Sequence, residues 1–189
     1  MWYTDDLIPI TLDDVAEAAE KCHCNRVYMH WTAGRYGQAY EDYHINIDED
    51  GSLYCIGDLD FDKKRDHTWH NNTGSIGIAL CCAYGAIAHS GYDAVYPYGY
   101  EPTQAQIEAM AMVIATICKH GHIDIDNCLT HKEQACKDGY GVPYGTYVDG
   151  VFQGDSDLRW DLWMLPDYNG EMIEGGKLLR GKARWYINR

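Results

Sequence analysis

The chain has 189 residues, 46% of them hydrophobic and 23% charged, a composition that suits one globular domain with a core large enough to fold without covalent staples. Its formal net charge of −14 repels a phosphate backbone, and no basic stripe with interleaved aromatics appears, which argues against a nucleic-acid partner. No apolar run approaches the roughly 18 residues of a membrane helix, and the acidic start MWYTDDLIPITLDD is unlike a basic, apolar export leader, so the expectation is a protein made in the cytoplasm, with no membrane partner.

Thr11 followed by Asp14 reads as a capping box, and Val15, Ala18, Ala19 and Cys22 recur at helical spacing, which predicts a helix over about 12–23. RVYMHWT, residues 26–32, is rich in β-branched and aromatic residues and predicts a strand ending at the turn Ala33-Gly34. Residues 43–48 and 52–56 flank Glu49-Asp50-Gly51, a hairpin signal. SIGIALCC, residues 75–82, predicts a buried central strand entered from the polar cluster HNNTG, with Gly77 admitting the close approach of another backbone.

Residues 83–102 are rich in Gly and Tyr and read as an elaborated loop. Thr103 and Gln106 form a second capping box, and Ile107, Met110, Ala111, Ile114, Ile117 and Cys118 line one face of a helix stopped by Gly121. Ile123 to Leu129 alternates as a strand leading into Thr130-His131, and residues 132–154 read as a long functional loop. A short helix is predicted at Arg159–Leu165, then a strand or ordered tail over 175–189. The pattern is α/β: a mixed central sheet flanked by helices, in one domain spanning 1–189.

Eight cysteines in such a chain are expected to be reduced and buried, and Cys22-His23-Cys24 lacks the spacing and second pair of a zinc knuckle. Among nine histidines, His30 and His131 each close a predicted strand, where sites of α/β folds collect. A hydrolytic zinc site needs three protein donors and an open position, and two imidazoles with a carboxylate or thiolate supply them.

Four segments in order, YMHWTAG, DYHINIDEDGSLY, HNNTGSIGIAL and LTH, resemble the zinc-dependent N-acetylmuramoyl-L-alanine amidases, the family of phage lysozyme-type amidases and peptidoglycan recognition proteins. The resemblance is strongest over 26–165, with 166–189 as a C-terminal extension. It implies zinc held by His30 and His131, Tyr43 orienting substrate or attacking water, and His70 and Asn71 at the cleft rim contacting substrate. For the third ligand it favours Asp155, with Trp160 five residues on, ahead of Asp157 and Cys136. The lysine many members carry two residues before that ligand is then Gln153, and Lys132 and Glu133 are the candidates to replace it.

The implied activity is hydrolysis of the amide joining N-acetylmuramic acid to L-alanine in bacterial peptidoglycan, with Zn2+ as cofactor. A phage endolysin or lytic effector, acting as a monomer on the wall after release or delivery, fits the resemblance. A non-catalytic peptidoglycan-binding module of the same fold and a hydrolase of another amide are the alternatives.

Overall fold

The computed structural model describes residues 6–89, 93–139, 146–148, 151–153 and 159–189. In chain order the elements are β1 (Leu7–Ile10), α1 (Leu12–Lys21), β2 (Arg26–Trp31), β3 (Ile45–Ile47), β4 (Leu53–Ile56), β5 (Ser75–Leu80), β6 (Ile87–His89), β7 (Asp93–Val95) and α2 (Gln104–Gly121). A 3-10 turn (Ile125–Asn127) leads to β8 (Cys128–Thr130), α3 (His131–Lys137), β9 (Thr146–Val148), β10 (Val151–Gln153), β11 (Met164–Pro166), β12 (Met172–Glu174) and α4 (Gly175–Ile187).

The main sheet has the order β1-β4-β3-β5-β2-β8. β5 runs parallel to both β3 and β2, and β2 runs parallel to β8, while β4 pairs antiparallel with β3 and β1. It is the mixed sheet with flanking helices that the sequence predicts. All six residues of β5 are buried, as a central parallel strand covered on both faces requires. Ile76, Ile78 and Leu80 join Val27, Met29, Ile107, Met110 and Ile114 in one core, and α2 packs against both α1 and α4.

Local chemistry explains where elements begin. Both predicted capping boxes form: Thr11 with Asp14 opens α1, and Thr103 with Gln106 opens α2. The hairpin turn closes as Gly51 N–H donates to Asp48 O, with Gly51 at φ 86°, a conformation that favours glycine, and a Cβ there would stand 3.1 Å from Ala105 O. All eight cysteines are free thiols, six of them buried.

Several sequence expectations give way. Ile123–Leu129 is a 3-10 turn and a three-residue strand, because the Asp124 carboxylate accepts the Asp126 N–H and folds the chain there. The left-handed residue ending α2 is His122, at φ 53°, while Gly121 remains helical. Residues 131–137 form a helix rather than a loop, nucleated by a third capping box, Thr130 with Glu133. RWDLWML is a turn entering β11, since Leu162 sits at φ 57° and Trp163 N–H bonds Trp160 O. Residues 175–187 are helix: Lys182 and Tyr186 both bond Glu108 of α2, so tertiary contact overrides the three glycines.

Candidate metal centre and its cleft

β2 and β8 are adjacent parallel strands, so the residues at their C-terminal ends meet. His30 is the penultimate residue of β2, and His131 is the first residue of α3, directly after β8. The two rings lie 4.7 Å apart, edge to face. Capping by Thr130 turns the chain sharply enough to aim His131 back across the strand ends.

The third member is Asp161, on the Trp160–Trp163 turn. Trp160 packs edge-on against Trp31, the neighbour of His30, at 4.8 Å, and Trp160, Leu162 and Trp163 are all buried. This apolar clamp drives the carboxylate between them inward. Asp161 Oδ2 lies 3.1 Å from His30 Nδ1, and Oδ1 lies 2.9 Å from His131 Nδ1. The donor atoms of the three residues all fall within 4.8 Å of one another, and His30–His131–Asp161 is the metal-competent group found among the described residues.

The chemistry of the set asks for a cation. Asp161 is 3% exposed, and its ion-pair partners among the described residues are two imidazoles. Burial pushes its carboxyl up, but His131 and His30 together hold it well below the usual carboxylate range. Burial also pushes the pKa of His30 down, so that ring is neutral and supplies no full positive charge. Asp161 Oδ1 is buried with no hydrogen bond of good geometry and meets His131 Nδ1 as an ion pair at 2.9 Å, so the three groups converge on a common point. A divalent ion taking nitrogen and oxygen donors, such as zinc, fits that arrangement.

Behind His30 the second ring nitrogen, Nε2, lies 3.2 Å from Thr68 Oγ1, and Thr68 Oγ1 lies 2.9 Å from His67 Nδ1. His67 is held to a pKa of about 2, by burial first and then by the neighbouring imidazoles. The close neighbour at Gly77 is the His67 side chain rather than the backbone expected there: a Cβ would stand 2.5 Å from its ring. His44 is locked neutral, with Nδ1 accepting the Gly77 N–H and Nε2 donating to Lys63 O, and burial lowers its pKa to about 4.

Tyr43 stands beside His30, ring centroids 5.2 Å apart, its hydroxyl 3.4 Å from Trp31 O. Burial pushes its phenol far up, so it is a hydrogen-bond donor at every working pH. His131 opens onto a cleft of about 710 Å³ lined also by Lys64, Asp66, His67, Trp69, His70 and Arg159. His70 is exposed on that rim, at φ 59° and edge-on to Trp69. Asn71 spends its amide on Trp69 O and Asp138, tying the loop to the end of α3.

Asp155 and Asp157 lie outside the described residues. Cys136, further along α3, is not in the cluster. Glu133 is occupied by Arg180, and Lys132 faces Glu174 at 3.8 Å. Two residues before Asp161 stands Arg159, a cation on the cleft wall at the spacing where family members carry lysine.

Two parallel strand ends and the turn at Trp160–Trp163 thus bring two imidazoles and a carboxylate together beside an open cleft. Residues 11–141, more than half the chain, match the model of the N-acetylmuramoyl-L-alanine amidase family, and the chain belongs to that family. The family acts as an amidase on peptidoglycan. Comparison with curated proteins found no match. No described helix is long and apolar enough to cross a membrane.

Proposed function

We propose that this chain is a zinc-dependent N-acetylmuramoyl-L-alanine amidase that cleaves the amide between the lactyl group of N-acetylmuramic acid and L-alanine. The observation that carries the reading is the convergence of His30, His131 and Asp161 beneath an open cleft in a chain of this family. These three would hold the metal, with Asp161 as the third ligand. A bound zinc ion supplies Lewis acidity that acidifies water and polarises an amide carbonyl.

The remaining residues have separable tasks. Tyr43 keeps its proton and donates it as a hydrogen bond toward the oxygen on which negative charge develops, a contribution of about 3 kcal/mol in comparable sites. Arg159 offers a permanent positive charge on the same wall. Trp69 and His70 present an exposed aromatic rim against which a sugar ring or stem peptide packs. A binding module without catalysis has no need of a complete, buried donor set, which favours the enzyme.

The resemblance to phage lysozyme-type amidases supports a role as an endolysin or delivered lytic effector, acting as a monomer. Metal analysis of the purified protein should find one zinc per chain, lost in Asp161→Asn. Digests of purified sacculi should release intact stem peptides with a free alanine amine, read by mass spectrometry. Zinc retained in Asp161→Asn would remove that residue from the ligand set, and cleavage at any other bond would sink the assigned reaction.

A further inference from the structure

The hydrogen bonds behind His30 run through four residues in a line, and their atoms allow the direction of every proton to be assigned. Ser75 Oγ lies 2.7 Å from Asn71 O and 3.0 Å from Asn72 O, both of which can only accept. The Ser75 hydroxyl hydrogen therefore goes to a carbonyl. What remains on Ser75 is a lone pair, 3.4 Å from His67 Nε2, so that nitrogen carries the hydrogen and donates. His67 Nδ1 is then a lone pair and must accept, at 2.9 Å, from the Thr68 hydroxyl. Having given its hydrogen to His67, Thr68 Oγ1 faces His30 Nε2 at 3.2 Å as an acceptor. The relay therefore asks His30 for an Nε2–H, against the Asp161 carboxylate, whose Oδ2 lies 3.1 Å from Nδ1 and asks for the proton there.

We infer that the Ser75–His67–Thr68 relay is a positioning device that commits His30 to the tautomer whose Nδ1 lone pair is free to bind zinc. The inference rests on the metal-centre reading above. Without a metal, the Asp161 carboxylate draws the His30 proton to Nδ1, because a carboxylate 3.1 Å away rewards a donor there. The relay pulls the same proton to the opposite nitrogen, lowering the cost of clearing Nδ1 when zinc arrives. Every member is buried, with Thr68 at 2%, His67 at 6% and Ser75 at 2% exposure, so the links are made between protein groups in a largely desolvated setting. The ring of His67 also lies against Gly77, where a Cβ would occupy its place, so β5 itself keeps the relay in register.

Thr68→Val keeps the shape and removes both hydroxyl bonds, and Thr68→Ser keeps the bonds and removes a methyl group. Zinc affinity, measured by competition with a chromophoric chelator, should fall about tenfold or more in Thr68→Val and stay within about threefold of the parent in Thr68→Ser. Nitrogen-15 NMR of histidine-labelled, zinc-loaded protein should show His67 protonated at Nε2. Unchanged zinc affinity in Thr68→Val, equal losses in both variants, or a His67 proton on Nδ1 would each overturn the relay. If the parent protein bound no zinc at all, the metal-centre reading would fall and the relay with it, whereas tight zinc in both parent and Thr68→Val removes the relay alone.

Discussion

Arg180, on α4, lies beyond the residues that match the family, yet it holds the segment that carries His131. Its guanidinium makes two bonds of 2.7 Å to the Glu133 carboxylate and a third, of 2.9 Å, to Cys128 O on β8. Glu133 in turn accepts the Thr130 N–H at 2.9 Å, completing the cap that turns the chain into α3. α4 approaches so closely that a Cβ at Gly176 would stand within 2.5 Å of that carboxylate. The Arg180 and Glu133 side chains are 16% and 25% exposed, which places the pair between a surface bridge and a fully buried one.

Arg180→Ala therefore strands a mostly buried carboxylate and should cost about 2–3 kcal/mol, below the roughly 3–5 kcal/mol of a fully buried pair. For a chain of this size that is a fall of about 5–10 °C in Tm. Differential scanning calorimetry at pH 7 reads it. Burial raises the Glu133 pKa, while Arg180 and the Thr130 N–H pull it net below 4.5, so the pair stabilises above that value and is lost as pH falls through the folded pKa. The gap between parent and variant should accordingly narrow as the pH falls below 4.5. Arg180→Met combined with Glu133→Gln should recover part of the loss, because no charge is then left unpaired. A Tm within 1 °C of the parent, or a double variant no better than Arg180→Met alone, would refute this account.

Gly77→Ala places a methyl carbon 2.5 Å from the His67 ring, which Thr68 and Ser75 hold in place, and should cost about 1–3 kcal/mol in urea unfolding with weakened zinc retention. Stability should also fall with acid from the ordinary histidine range downward. His44 has a folded pKa of about 4 against 6.5 unfolded, so the unfolded chain takes up its proton first and stability drops between those values, by about 3 kcal/mol from this group. Urea midpoints at pH 8, 6 and 4.5 test it, and a flat profile would contradict the buried, neutral assignment.

How much of this was legible in the sequence follows from the range of the interactions involved. Capping boxes at Thr11 and Thr103 and the Asp-Gly hairpin are local chemistry, and the structure forms all three where the sequence places them. His30 and His131 stood out because strand ends are visible as breaks in apolar patterning, and adjacent parallel strands bring them together. Asp161 did not stand out. It sits in RWDLWML, whose apolar spacing imitates a helix, and only contact with Trp31, 129 residues earlier, shows that the segment turns inward. The usable signal was an aspartate flanked by two tryptophans and a leucine, since a charge in such company is buried and needs partners. Arg159, a basic residue two positions earlier, repeats the spacing the family carries and was legible only once Asp161 was chosen. The helix over 175–187 was hidden by three glycines whose cost is offset by bonds from Lys182 and Tyr186 to α2.

His30 and Asp161 are 131 positions apart, with β3, β4, β5, α2 and β8 between them in the chain. During synthesis His30 is made first, His131 much later, and Asp161 later still. Long-range closures of this kind form late in folding, because the intervening chain must order first. On the proposed ligand set, a chain that contains the matched family segment, residues 11–141, and stops there lacks the aspartate. The proposed metal centre therefore depends on a donor contributed from outside the segment that defines the family match.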